Sequence, residues 1–155
     1  MTPRERGAAL LMTLMMLLML GAGGSVAMHS ALLQQRAATN LQLQRLSLLA
    51  AEQALMLAKR QVHSDAPEPM ADGQPATGLS AQLASLDATD LWAWLQDAGD
   101  WQSRVEGTQR MAWRIIPEGE AMIGGAGADI YRLQALGISG NSRSLLEVQH
   151  ARIRQ

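Results

Sequence analysis

The sequence predicts an α+β fold in which one long N-terminal helix, apolar in its first half and amphipathic in its second, packs along a small antiparallel sheet. Three observations predict it. The 22 residues from Gly7 to Met28 carry no charge. The stretch from His29 to Val62 contains neither Pro nor Gly and is dominated by Leu, Ala, Gln and Arg, all good helix formers. From Arg110 onward the apolar residues fall into short, roughly alternating runs separated by Gly and Asn, a strand pattern.

The N-terminal element carries the strongest signal. Five of the ten Met lie in the first twenty residues, and Ala8 to Leu20 is nearly unbroken hydrocarbon. As a helix, 22 residues span about 33 Å, enough for a bilayer core. Arg4 and Arg6 precede the segment and no basic residue follows until Arg36, which places the N-terminus in the cytoplasm and the remainder across the membrane. A buried core helix is a poor alternative, because little else in the chain could cover a helix that is apolar all round. A removable signal peptide is a stronger one, since Ser25-Val-Ala27 has the small-x-small form of a cleavage site after Ala27.

The residues after Met28 argue for retention. Leu33, Ala37, Leu41, Leu48, Glu52 and Leu55 form one stripe at helical spacing, and Leu43, Leu46, Ala50, Ala54 and Leu57 a second beside it. The two segments then read as one helix of about fifty residues, with a soft turn expected at Gly21, Gly23 and Gly24 because each Gly costs about 1 kcal/mol against Ala in a helix interior. Lys59 and Arg60 suit its last turn. Leu48 is expected to be buried on the sheet, so that Leu48→Asp would unfold the domain. Glu52 is a polar break in its stripe, able to meet basic neighbours in a helix bundle.

Ser64 to Gly78 is rich in Pro, Gly and acid and reads as a linker. A short helix is expected over Asp87–Gln96, capped by Asp87 or Thr89, with Leu91, Trp92 and Leu95 on one face and Trp92, Trp94 and Trp101 as heavy core contacts. Strands are expected at 110–116, 129–136 and 145–153, divided by Pro117–Gly127 and Gly137–Asn141. The organisation is thus 1–7 as a leader, 8–28 as the membrane segment, 29–63 as the amphipathic helix, 64–109 as an acidic loop region with a short helix, and 110–155 as the sheet.

Composition excludes several function classes. With no Cys, neither a disulfide framework nor a thiolate metal site is available. The net charge of −1 hides an acidic middle, in which residues 64–129 carry eleven acidic and three basic side chains. The basic residues elsewhere are scattered and not interleaved with aromatics, so nucleic acid is not an expected partner. His29, His63 and His150 stand apart without ligand spacing. Gly21-Ala-Gly-Gly24 lies inside the apolar run and Gly124-Gly-Ala-Gly127 has no Lys after it, so neither reads as a phosphate loop. Asp87, Asp90, Asp97 and Asp100 read as a solvated face rather than a cation site. No enzyme, cofactor or metal is expected.

The layout resembles a type IV pilus minor pilin of the PilX type. The likeness sits in Arg4-Glu-Arg-Gly-Ala-Ala-Leu-Leu-Met12 with its apolar continuation and in Leu49-Ala-Ala-Glu-Gln-Ala-Leu55. It continues in Tyr131-Arg-Leu-Gln-Ala-Leu-Gly-Ile138 and Leu145-Leu-Glu-Val-Gln149, which are similar to that family's last two strands. The resemblance implies a pilin-like fold and cleavage by a prepilin peptidase after Gly7, leaving Ala8 as the mature N-terminus. It implies an inner-membrane, single-pass subunit with a periplasmic C-terminal domain, which later enters a pilus filament beside other minor pilins and the major pilin. Most pilins carry Glu at the fifth mature position, where this chain has Met12, a departure shared with tip-located pseudopilins and favouring a priming or capping role in a type IV pilus or related pseudopilus. A periplasmic module released by cleavage after Ala27, and an unprocessed bitopic scaffold, are the alternatives.

Overall fold

The computed structural model describes residues 3–64 and 85–154. The linker expected after Ser64 therefore lies outside the described residues as far as its last member, Gly78. The described elements are helix α1 (Pro3–Ser64), helix α2 (Ala88–Asp97) and strands β1 (Gln102–Glu106), β2 (Gln109–Ile123), β3 (Ala126–Ser139) and β4 (Ser142–Ile153). The strands form one antiparallel sheet in the order β1-β2-β3-β4. This is the α+β arrangement expected, a long N-terminal helix on an antiparallel sheet. By internal packing the chain divides into two units, Met1–Asn40 and Leu41–Gln155.

In the first unit α1 runs through Gly21, Gly23 and Gly24 without interruption, so the soft turn expected there leaves no break in the helix. Thr13 and Ser25 fold their hydroxyls back onto the carbonyls of Leu10 and Ala22 at 2.9 Å each. That satisfies the two side-chain donors of residues 10–28 within the helix itself.

In the second unit, α1 from Leu41 to Ser64 covers one face of the sheet. Ala50, Ala54, Ala58 and Val62 pack on Met111, Trp113 and Ile115 of β2 and Tyr131, Leu133 and Ala135 of β3. The seam is made of small residues because the helix comes down on backbone. A Cβ on Gly137 of β3 would run into the main chain of Ser47 and Ala51 and lie 2.9 Å from the carbonyl carbon of Ala50. Beside this contact, Ser47 Oγ donates to Gln44 O at 2.9 Å and lies 2.9 Å from Ser144 Oγ on β4. A hydroxyl has one proton, so Ser144 is the donor of the second bond. Leu43 then sits over the β3–β4 turn at Gly140, whose φ of +55° suits glycine.

The burial differs from the expected stripes in one respect. The second stripe, with Ala50 and Ala54, faces the sheet, while Leu41 and Leu48 of the first are exposed, Leu48 by 42%. The amphipathic pattern alone cannot separate two adjacent apolar stripes; the position of Gly137 does, because only Ser47, Ala50 and Ala51 let the backbones meet.

The opposite face of the sheet is covered too. Leu91, Trp92 and Leu95 of α2 pack with Trp101 on Ala112, Leu136 and Ile138. Successive strand residues point to opposite faces, so β2 is buried from Met111 to Ile115 without alternation. The helix starts where expected: Asp87 Oδ1 accepts from the amides of Thr89 and Asp90, both at 2.8 Å.

Three expectations for the sheet are corrected. It begins at Gln102 rather than Arg110, since Gln102–Glu106 pairs with β2 through the turn at Gly107. Five mostly exposed residues with four polar side chains show no alternation to read. Pro117–Gly119 is a bulge within β2 rather than the start of a loop, with the turn postponed to Gly124 and Gly125. Gly137 lies in β3, not in a turn, for the packing reason above.

Gly137→Ala is expected to destabilise the second unit by at least about 3 kcal/mol, at or above the upper end for overpacking, because the obstacle is backbone and not a movable side chain. Leu48→Asp is expected to cost less than about 1 kcal/mol at its exposed site. Urea unfolding followed by tryptophan fluorescence measures both, as all four Trp lie in this unit.

Candidate membrane and assembly site

The residues singled out for processing and anchoring all lie on α1. Gly7 is exposed within its first turns. Met12, where the pilin resemblance places a Glu, is 74% exposed. From Leu10 through Leu20, and again at Val26 and Met28, every large apolar side chain is more than half exposed. None of this most apolar stretch is buried, and the helix is long and apolar enough to cross a membrane. Leaving so many Leu and Met side chains in water forgoes roughly 1.5–3 kcal/mol for each. The physical consequence is a segment suited to lipid or to the apolar surfaces of other helices. Ala27, the alternative cleavage position, is an exposed residue in mid-helix.

The folded unit holds two polar clusters that the sequence did not announce. On the α2 side of the sheet, buried Arg114 donates from Nε to Gln134 Oε1 at 2.7 Å and from Nη1 to Asp100 Oδ2 at 2.6 Å, and its guanidinium lies 5.1 Å from the Trp101 ring. Gln134 passes the chain on, donating to Glu147 Oε2 at 2.7 Å. Arg132 then pairs with Glu118 and lies 3.6 Å from Glu147, while Gln149 donates to Glu118 at 2.8 Å. The ladder crosses three strands and engages the carboxylates of Asp100, Glu118 and Glu147. It engages Nε and Nη1 of a nearly buried cation, leaves the buried Nη2 without a hydrogen-bond partner, and ties the strands side by side. Asp87, Asp90 and Asp97 are exposed, as expected of a solvated acidic face; Asp87 also caps α2, and Asp100, its side chain still 43% exposed, also pairs with Arg114.

On the α1 side, His63 and His150, read as isolated in sequence, have ring centroids 5.1 Å apart. His63 Nδ1 lies 2.8 Å from Lys59 O. His150 Nε2 is buried with no hydrogen-bond partner. Burial, reinforced by His63 and Lys59, pushes the His150 imidazole below its ordinary value of 6.5. The helix end and β4 converge at this pair, which 87 residues of sequence separation concealed. Among the described residues no group of three or more His, Cys, Asp or Glu is placed to hold a metal ion.

Comparisons with protein-family models, with curated proteins and with solved structures give no match to this chain. The functional reading therefore rests on the exposed apolar helix and on the residues at its N-terminal edge.

Partly buried His150 sets a pH dependence. The unfolded chain binds a proton at His150 near pH 6.5 and the folded chain only at lower pH. Between those two values the unfolded state holds more protons, so stability rises with pH there and is lost as pH falls through the window. The folded carboxyls of Asp87, held low by the amides of Asp90 and Thr89, and of Asp129, held low by Arg154, add a second loss as pH falls below their ordinary 3.8. The melting temperature is expected to fall in these two stages, and His150→Gln to flatten the first alone.

Proposed function

We propose that this chain is a minor pilin, a non-enzymatic subunit that is processed after Gly7, anchored in the inner membrane by residues 8–28, and used to prime or cap a type IV pilus or related pseudopilus. The observation that carries the reading is that α1 is one helix whose first half is apolar and bare while its second half is built into the sheet. A removable targeting signal has no use for helical continuity into a folded domain; a retained anchor does. Arg6-Gly7-Ala8 stands at the cytoplasmic edge of the apolar run, where a prepilin peptidase acts. The partners implied are that peptidase, the other minor pilins and the major pilin.

Met12 supports a terminal position. In an assembled core, a carboxylate at this place is tolerable only if a neighbour's amine meets it. A side chain of pure hydrocarbon and sulfur asks for no such neighbour, as suits a subunit with none above it.

The deciding measurement is the mature N-terminus, by intact mass of protein from native membranes. Processing after Gly7 gives a chain beginning at Ala8 that stays with the membrane, and substitution of Gly7 abolishes the mass shift. A chain beginning at Met28 would replace the pilin reading with a released periplasmic module, and an uncut chain would leave a bitopic scaffold. Met12→Glu puts an unpaired acid into hydrocarbon at a cost of several kcal/mol and is expected to lower membrane insertion or pilus number. Undiminished pilus number in that variant speaks against a terminal position.

A further inference from the structure

The histidine pair at the end of α1 has the spacing of two ligands to one metal ion. His63 stands in the last turn of the helix, and His150 on β4 opposite Tyr131, on the face that also turns Ser144 and Leu146 toward α1. Their ring centroids are 5.1 Å apart and the rings are tilted by 52°. With metal–nitrogen bonds of about 2.1 Å and about 1.2 Å from nitrogen to ring centre, two imidazoles on one ion at about 90–110° hold their centroids about 4.6–5.3 Å apart.

The nitrogens are prepared in the same sense. A carbonyl oxygen only accepts, so the 2.8 Å contact of His63 Nδ1 with Lys59 O is an N–H donation and leaves the lone pair on Nε2. Anchoring one ring nitrogen on a backbone carbonyl is how a metal-bound imidazole has its tautomer and direction set. Nε2 of His150 is buried and makes no hydrogen bond, a cost that coordination removes. His63 also lines a surface hollow with Met56, Lys59, Arg60 and Ser64, which gives an ion and its water a way in.

We propose that His63 and His150 bind one divalent transition-metal ion of the zinc class through their Nε2 atoms, with water completing the shell, and that the ion fastens the last turn of α1 to β4. Imidazole ligands without a carboxylate suit zinc, copper or nickel and not magnesium or calcium, which take oxygen. The chain has no Cys, so no thiolate competes for the ion. Two side chains supply half of a four-coordinate shell, which makes the ion exchangeable and not a condition of folding. The helix is already held on the sheet by Ala50, Ala54, Ala58 and Val62. Lys59, whose charge acts on His150, opposes the ion. None of this depends on the pilin role.

Full-length protein without an affinity tag, in detergent micelles, is titrated with ZnCl₂ while the histidine side-chain resonances are followed by NMR. Zn²⁺ is expected to move the signals of His63 and His150 together, to saturate at one ion per chain, and to leave His29 of the first unit unmoved. Mg²⁺ is expected to move none of them. His63→Gln and His150→Gln are each expected to abolish the rise in melting temperature that Zn²⁺ gives the unsubstituted chain, and His29→Gln to keep it. Lys59→Gln is expected to tighten Zn²⁺ binding by removing a repelling charge, which a merely structural change at the helix end would not do. The titration of the unsubstituted chain requires no variant to fold, so it decides the case even where a substitution loosens the helix end. No response to Zn²⁺, movement of one of the two signals alone, an equal response to Mg²⁺, or a Zn²⁺-induced rise in melting temperature that survives in either variant overturns the proposal. So does dimerisation on adding Zn²⁺, in which the ion joins two chains.

Discussion

The second unit is organised around the place where helix and sheet touch backbone to backbone. Gly137, in the middle of the sheet on strand β3, leaves room for the main chain of Ser47, Ala50 and Ala51 and for nothing larger. That single contact fixes which face of the helix is inward. It also sets the height of the helix over the sheet, and through the Ser47–Ser144 hydroxyl bond its alignment with β4. The rest of the seam adapts to it: alanines at 50, 54 and 58 keep the helix close, while larger groups come from the sheet side, in Met111, Trp113, Leu133 and Tyr131.

A sheet held that closely on one face and capped by α2 on the other has little room for polar groups, yet Arg114 sits within it at only 7% exposure. It is tolerable because Asp100, Gln134 and the Trp101 ring share it. The ladder from Asp100 to Gln149 ties neighbouring strands together by side-chain hydrogen bonds and ion pairs along the part of the sheet that extends toward the β2 bulge. Among the described residues no comparable arrangement supports the first half of α1. There the backbone is satisfied within the helix and the side chains are left to whatever surrounds them, which is the physical condition for a segment used in lipid or between helices. One helix therefore has two duties, to join a folded unit and to present an apolar surface, and the proposed pilin role draws on both.

Much of this was legible in the sequence because it depends on local patterns. Twenty-two uncharged residues from Gly7 to Met28 need no tertiary context to declare a lipid-compatible helix. Freedom from Pro and Gly up to Val62 fixed the length of the helix, and Asp87 before Thr89 and Asp90 marked the start of α2. Alternation located three strands, and Met12 raised the question of terminal position by its chemistry alone.

Tertiary structure decided what depends on partners distant in sequence. Two apolar stripes compete on the amphipathic half of α1, and only the approach to Gly137 selects the small-residue one and leaves Leu41, Leu48, Leu49 and Met56 outside. Gly137 itself looks like a turn residue until the helix is seen above it. Strand β1 has no periodicity because most of its side chains are exposed, so its existence follows from pairing with β2 and not from composition. Nothing in the sequence connects Arg114 with Asp100, or His63 with His150, until β-pairing and helix packing bring them together. Periodicity reports which residues avoid water; which neighbours they meet is settled by backbone geometry, and that is a property of the whole fold.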